Sequence, residues 1–169
     1  MNIVLYPDAP LRDKASPVEN FGRELTKLAE DMVMFMLDND GVGLAGPQVG
    51  LNQQIVVMCE PESDPVCLIN PQIVEKEGNA YAEEGCLSLP GLYAAVPRGT
   101  RIRVVAQDCD GKKYDFEAHD FLARIIQHEC DHLQGVVFPE RLDVVTRDAL
   151  FTEWFEIRNG MVEDTPLSR

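Results

Sequence analysis

The sequence predicts an α+β fold: a small single domain in which antiparallel β-sheets pack around a central α-helix. Strand-like patterns fill the middle of the chain, and helical patterns lie towards either end. The length of 169 residues favours one domain that spans residues 1–169. A chain of this length buries about 70% of the surface that its unfolded form exposes, so it needs no disulfides to fold.

The N-terminal part predicts one helix between two irregular segments. The first twenty residues contain three prolines and predict a short strand followed by a loop. A helix is expected over about 21–38, where apolar residues recur every three or four positions, and Asn-Asp-Gly at 39–41 ends it. The next segment, GVGLAGPQVG (41–50), holds four glycines and a proline, which argues against a regular helix or strand.

The middle of the chain predicts strands, and two further helices follow. Strand-like segments are QIVVMC (54–59), VCLINPQIV (66–74), RIRVVAQD (101–108) and YDFEA (114–118). Asp110 and Gly111 lie between the last two segments and predict a hairpin. A helix is expected over about 120–134, capped by Asp120 and ended by Gly135. A last, weaker helical pattern covers about 146–158.

Composition excludes several classes of function. The net charge of −14 repels phosphate backbones, so general nucleic-acid binding is not expected. The sequence has no long apolar run and no secretory signal pattern, so we expect no membrane association and a cytoplasmic location, or an organelle if a targeting segment has been removed. The five cysteines are odd in number and irregularly spaced, which favours reduced thiols over a disulfide framework.

The chemistry is concentrated in the helix over about 120–134, which contains the sequence HECDH. Residues four apart lie on one face of a helix, so His128 and His132 can bind the same cation. Glu129 is rotated by about 100° from His128, which places it beside the metal as a general base. Phe121 and Ile125 continue the histidine face backwards, as the apolar wall of a substrate pocket would.

The spacing of the two histidines does not identify the third protein ligand of the metal. A catalytic metal site usually has three protein ligands and one open position. No histidine follows His132, so Glu153 and Glu156 are candidates if the chain is a zinc endopeptidase. Cys86, in EEGCLSLPG (83–91), is the other candidate, because a thiolate is a strong ligand for divalent first-row metals.

Three segments, GVGLAGPQVG (41–50), EGCLSLPG (84–91) and QHECDHLQG (127–135), resemble in order and spacing the three signature motifs of the peptide deformylases. INPQIV (69–74) and VPRGTRIRV (96–104) are also similar to that family, and the resemblance spans most of residues 1–145. It implies a small α+β fold in which the metal helix packs among antiparallel strands. It also implies hydrolysis of the N-formyl group from the N-terminal methionine of newly made proteins, with release of formate.

The resemblance implies a role for each matching residue. The metal ligands would be Cys86, His128 and His132, and the usual metal of the family is Fe²⁺, which Ni²⁺, Co²⁺ or Zn²⁺ can replace. Glu129 would transfer the proton. The side-chain amide of Gln48 and the backbone N–H of Leu87 would meet the charge that develops on the formyl oxygen.

The resemblance also implies residues around the reacting groups. Val42 and Gly43 would line the substrate groove. A formyl-methionine substrate needs an apolar pocket beside the metal, and our hypothesis is that Phe121, Ile125 and the ring of His128 form it and that Val42 closes it. Three charged residues lie within or next to the matching motifs: Glu84, Arg98 and Asp131. They would form a charged shell that holds the metal ligands in place, or alternatively a structural ion pair away from the metal.

The chain departs from the family pattern at two places. Gly46 stands where the first motif often has a second alanine, and we expect a looser backbone near Gln48. Residues 140–169 hold four basic and seven acidic residues, so we expect at most a weak contact with the ribosome. The alternatives to a deformylase are a zinc endopeptidase of the HExxH type and a metal-bound module without catalytic activity.

Overall fold

The computed structural model describes residues 1–163 as a five-stranded antiparallel sheet, a two-stranded antiparallel sheet and three α-helices. The order of the larger sheet is β1-β2-β3-β6-β7, and β4 pairs with β5. The strands are β1 (Gly43–Ala45), β2 (Ile55–Met58), β3 (Val66–Glu77), β4 (Ala80–Glu84), β5 (Ala94–Arg98), β6 (Arg101–Gln107) and β7 (Lys113–His119). The helices are α1 (Arg23–Asp38), α2 (Asp120–Leu133) and α3 (Val144–Glu163).

The larger sheet separates α2 from α1 because side chains alternate between its two faces. Strand β2 is buried along its whole length. Val56 and Met58 share a buried cluster with Ala123 and Ile126 of α2. The intervening Ile55 and Val57 pack in a second cluster with residues of α1, among them Leu25, Met32 and Met36. The expected α+β fold, with antiparallel strands around the HECDH helix, is confirmed.

Helix α3 covers the segment that carries Cys86. Trp154 is fully buried in a cluster with Leu89 and Val96, and its Nε1 donates to the carbonyl of Tyr6 at 3.0 Å. The helix begins two residues before the expected start at 146, where Asp143 accepts the Thr146 amide at 2.9 Å, and it continues past the expected end at 158 to Glu163. None of the helices within residues 1–163 is both long and apolar enough to cross a membrane.

Several predicted boundaries are confirmed. Strands β2, β3, β6 and β7 lie within two or three residues of their predicted positions, and β6 pairs with β7 as the predicted hairpin. Helix α1 ends at Asp38, with Asn39 as its C-cap. Gly135, with φ 74°, ends α2 as expected, and its N–H donates to the carbonyl of His132. All five cysteines are free thiols.

Other expectations are wrong. No strand forms in the first twenty residues, which contain only a short 3₁₀ helix at Ala9–Leu11. The glycine-rich segment does form regular structure, because β2 supplies ladder partners for β1 and residues 46–49 close a 3₁₀ turn. Asp120 is not the cap of α2: the N-cap is His119, and Asp120 is already the first helical residue. Strands β4 and β5 were not expected, because neither alternates apolar and polar residues.

Candidate metal centre

The fold brings together one thiol and two imidazoles at a buried position. Atoms of Cys86, His128 and His132 that could bind a metal all lie within 4.8 Å of one another. Sγ of Cys86 is 3.3 Å from Nε2 of His132. Two such ligands on one tetrahedral zinc-sized ion would lie about 3.6 Å apart. The donor set and its spacing therefore fit a divalent first-row metal.

The alternative ligands on α3 are excluded. Glu153 and Glu156 are both exposed. Within residues 1–163, the only group of three or more side chains arranged to hold a metal is the one that contains Cys86. The zinc endopeptidase interpretation, which needed a glutamate from α3, is therefore wrong. Sequence spacing could not decide between Cys86 and the glutamates of α3, because the position of Cys86 depends on β4, β5 and the turn after β4.

His128 lies at one end of a network of charged side chains. Its Nδ1 lies 2.7 Å from Oε1 of Glu84, which leaves Nε2 on the side of Cys86 and His132. Arg98 forms a bidentate pair with Glu84, with both distances 2.9 Å, and donates to Asp131 at 2.6 Å. All three partners are buried. Glu84 therefore contacts His128 of α2, and Arg98 contacts both Glu84 and Asp131 of the same helix.

The electrostatics of the two histidines differ. Burial opposes a charge on His128, but hydrogen bonds with Cys86 and Glu84 raise its pKa well above the usual value. Burial and the nearby His128 and Arg98 lower the pKa of His132 well below its usual value. The site therefore favours the protonated form of His128 and keeps His132 neutral. Imidazole binds metals in its neutral form, so His132 is ready to bind a cation, whereas His128 would first give up its extra proton.

Glu129 lies against the ligands and β1. Its Oε2 is buried and has no hydrogen-bond partner within residues 1–163, and the same is true of Nδ1 of His132. Burial raises the pKa of Glu129 to about 7, the range in which a carboxyl group can both accept and return a proton near neutral pH. Gly43 provides the space for this side chain, because a Cβ at position 43 would lie 2.4 Å from Oε1 of Glu129.

Gln48 is fixed with its amide nitrogen towards the site. Its Oε1 accepts the Ala45 amide at 2.9 Å, which turns Nε2 towards Sγ of Cys86 at 3.4 Å and Oγ of Ser88 at 3.3 Å. The backbone amide of Leu87 adjoins Cys86 and has no acceptor within the described part of the chain.

The packing at Gly46 argues against the looser backbone that we expected there. A Cβ at this position would lie 2.6 Å from the carbonyl oxygen of Gln53 and 3.2 Å from that of Leu51. Gly46 is buried and accepts a hydrogen bond from the Leu51 amide. It therefore permits a close backbone approach that holds the turn carrying Gln48.

A cavity of about 390 Å³ opens beside these groups. The predicted groove and pocket residues all line it: Val42, Gly43, Phe121 and Ile125. Ile125 is buried, whereas Val42 and Phe121 are 40% and 45% exposed at its mouth. Cys86, His128 and Glu129 lie on its wall. An apolar cavity with a few polar groups at one end is the usual form of a small-ligand site.

Three further residues at this site were not predicted from the sequence. Ser88 is fully buried and accepts from Gln48, and Tyr93 packs its ring against Gly85 at the cavity rim. Arg124 is buried and contacts Glu84 at 2.7 Å. Of the three, only Arg124 carried a signal, because it lies one helical turn before His128 and is charged on an otherwise apolar stretch.

Comparisons with known proteins agree with this geometry. The model of the polypeptide deformylase family matches residues 1–148. A peptide deformylase of Hydrogenovibrio crunogenus is 45% identical over 149 residues, which cover 87% of this chain and 88% of the relative. The peptide deformylase of Chromobacterium violaceum is 46% identical over 155 residues, which cover 90% of this chain and 93% of the relative.

Solved structures give the same result. The crystal structure of peptide deformylase from Thermus thermophilus has a TM-score of 0.86 and 47% identity, and the match covers 89% of this chain and 90% of that one. Peptide deformylase 1B of Arabidopsis thaliana has a TM-score of 0.89 and 38% identity, with 99% and 95% covered. The fold, the metal ligands and these relatives agree: the chain belongs to the peptide deformylase family of metal-dependent hydrolases.

Proposed function

We propose that the chain removes the formyl group from N-formylmethionyl nascent peptides, with Glu129 as the group that transfers the proton. The observation that carries this proposal is the buried, unpartnered Oε2 of Glu129, which lies beside three metal ligands on the wall of an apolar cavity in the described part of the chain. We propose Fe²⁺ as the native metal, with Ni²⁺, Co²⁺ and Zn²⁺ as replacements, held by Cys86, His128 and His132. A divalent cation there would supply Lewis acidity and lower the pKa of water bound to it.

Glu129 acts first as a base and then as an acid. Its carboxylate accepts a proton from the water molecule that attacks the formyl carbon. The bond between that carbon and the peptide nitrogen then breaks, and Glu129 returns the proton to the departing amine. The products are formate and a peptide with a free amino terminus. A pKa of about 7 suits both transfers, because neither protonation state is then strongly disfavoured near neutral pH.

Two donors stabilise the charge that develops on the formyl oxygen. Gln48 is held by the Ala45 amide, so its Nε2 is directed at the site before substrate arrives. The Leu87 amide is available because nothing within residues 1–163 accepts its hydrogen bond. Donors fixed in advance are effective because they need no reorganisation during the reaction.

The substrate peptide pairs with β1, and its methionine side chain enters the cavity. Strand β1 is at the edge of the larger sheet and pairs only with β2 in the described structure. Its other edge can accept an extended peptide as an additional strand. Phe121 and Ile125 form the apolar wall for the methionine side chain, and Val42 closes it.

We further propose a single catalytic domain that acts in the cytoplasm, with at most a weak ribosome contact. The excess of acidic residues in 140–169 supports the weak ribosome contact. Part of that segment, including Asp164 and Arg169, lies outside the described residues. Its acidic groups would be repelled by ribosomal RNA. Co-sedimentation with ribosomes that persists at low salt but vanishes at physiological salt is the expected result. Retention at high salt would contradict it.

The decisive experiment measures formate released from formyl-Met-Ala-Ser by protein purified without oxygen and loaded with Fe²⁺ or Ni²⁺. The wild type should release formate, and Glu129→Ala should retain its metal but lose about 100- to 10,000-fold in rate. Cys86→Ala should lose both metal and activity. Folded, metal-loaded wild type that releases no formate would refute the proposed substrate. Glu129→Ala with an unchanged rate would refute the role of that carboxylate.

A further inference from the structure

Arg124 is a buried arginine on the metal-binding helix to which the proposed reaction gives no role. It precedes His128 by four residues, so both side chains lie on one face of α2, one turn apart. Its Nη1 donates to Oε2 of Glu84 at 2.7 Å, and Oε1 of the same carboxylate lies 2.7 Å from Nδ1 of His128. A single carboxylate therefore connects the arginine to a metal ligand.

The same guanidinium also holds the β4–β5 hairpin. Nη1 donates to the carbonyl of Val96 in β5 at 2.7 Å, and Nη2 donates to the carbonyl of Ala80 in β4 at 2.8 Å. Glu84 is the last residue of β4, and Cys86 follows two residues later. Arg124 thus fastens the strand that leads to the thiol ligand onto the helix that carries both histidine ligands.

The other arginine on Glu84 is shared with a second acid. Arg98 pairs with Glu84 through Nε and Nη2, but its Nη1 donates to Asp131. Arg124 has no carboxylate partner other than Glu84 within residues 1–163. A buried carboxylate that accepts from two arginines is held in one orientation, because rotation would break several charge-assisted hydrogen bonds together.

We propose that Arg124 is a positioning residue of the metal centre that acts through Glu84. The arginine fixes the carboxylate, the carboxylate accepts the Nδ1 proton of His128, and Nε2 of His128 is left as the ligand atom. Loss of such an outer partner typically weakens metal affinity or activity about 10- to 100-fold. The inference rests on the proposed function, since it requires that Cys86, His128 and His132 hold the metal.

The test compares Ni²⁺ affinity, by competition with a chelator at fixed pH, in wild type, Arg124→Met and Arg124→Lys. Arg124→Met should bind Ni²⁺ about 10- to 100-fold more weakly. Arg124→Lys should lie between the two, because an ammonium group keeps the charge beside Glu84 but cannot span the carboxylate and both carbonyls. Arg103→Met, which removes an exposed arginine paired with Glu75 and Asp115, is the matched control and should bind Ni²⁺ like wild type.

A double-mutant cycle with Glu84→Gln tests the route of the effect. If Arg124 acts through Glu84, the double variant should bind Ni²⁺ no more weakly than Glu84→Gln alone. Independent, multiplying losses would overturn the proposal, because the arginine would then act only by holding the hairpin. Wild-type Ni²⁺ affinity with a raised KM for formyl-Met-Ala-Ser would also overturn it, since Arg124 would be only a cavity wall.

Two safeguards keep the outcome interpretable. If Arg124→Met does not fold, Arg124→Lys and its cycle with Glu84→Gln give the same comparison with the charge retained. The affinity measurement does not depend on turnover. A wild type that binds Ni²⁺ but releases no formate would therefore refute the proposed function and leave the role of Arg124 to be decided by the affinities.

Discussion

Gly43 lies in β1 with the position of its missing side chain occupied by Glu129. A Cβ at residue 43 would lie 2.4 Å from Oε1 of Glu129 and 2.9 Å from both Cγ and Cδ. Ordinary contacts begin near 3.4 Å, so in Gly43→Ala the carboxylate must move by about 1 Å. The backbone itself does not resist alanine, because the φ of Gly43 is outside the left-handed region.

The expected result is a loss of rate with little loss of stability. A displacement of about 1 Å in a catalytic group can reduce the rate about 100-fold. Glu129 is not a ligand, so Ni²⁺ affinity should stay close to that of wild type. The measurements are kcat for formate release, Ni²⁺ affinity and the thermal unfolding midpoint, on the Ni²⁺-loaded variant. Gly160→Ala is the matched control, because nothing lies within 4 Å of a Cβ at that helical position.

Two outcomes would refute this reasoning. A wild-type kcat in Gly43→Ala would mean that Glu129 tolerates the displacement, or that its position beside β1 does not matter for proton transfer. A reduced kcat accompanied by loss of Ni²⁺ would mean that the added methyl group disturbs the ligands and not the carboxylate. In either case, the close contact between β1 and Glu129 would not explain why residue 43 is glycine.

Three further predictions concern the donor, the pocket and the charged groups around the ligands. Gln48→Ala should lower kcat about 100- to 1000-fold while the metal is retained. Gln53→Ala is the control and should leave kcat unchanged, because its side-chain oxygen has no hydrogen-bond partner within residues 1–163. Phe121→Ala should reduce the selectivity for formyl-methionine over formyl-alanine about tenfold or more, and equal ratios of kcat/KM in variant and wild type would exclude Phe121 from the pocket. Burial opposes ionisation of Glu84, but hydrogen bonds from His128 and Arg98 outweigh it and lower its pKa to about 2. The metal-free protein should therefore hold about 3 kcal/mol of stability from Glu84 above pH 4.5 and lose it as the pH falls towards 2, and an acid unfolding curve that Glu84→Gln leaves unchanged would contradict this.

The sequence predicted those parts of the site that follow from local geometry. His128 and His132 are four residues apart on a strongly amphipathic helix, so their shared face follows from the spacing alone. The same rule placed Phe121 and Ile125 on the cavity wall. Cys86 is different, because its position depends on how the β4–β5 hairpin packs against α2. Only the family resemblance favoured it over the glutamates of α3.

The missed strands have a physical explanation of the same kind. Strands β4 and β5 are short, and the sequence AYAEE gives no alternation of apolar and polar residues. The guanidinium of Arg124 contacts this hairpin through main-chain carbonyls, those of Ala80 and Val96. Contacts to main-chain carbonyls do not require particular side chains, so the composition and periodicity of this segment do not predict the hairpin.

The sequence could have predicted that Arg124 needs a charged partner, but not which residue supplies it. A charged residue one turn before His128, on a helix face otherwise predicted to be buried, requires a partner, because an isolated buried charge is strongly unfavourable. That requirement is visible in FLARIIQHECDH itself. The identity of the partner is not, because Glu84 is forty residues away and reaches Arg124 only through the hairpin that Arg124 helps to hold. The ligand, its carboxylate and the arginine therefore depend on one another, and we expect substitutions among them to show coupled effects.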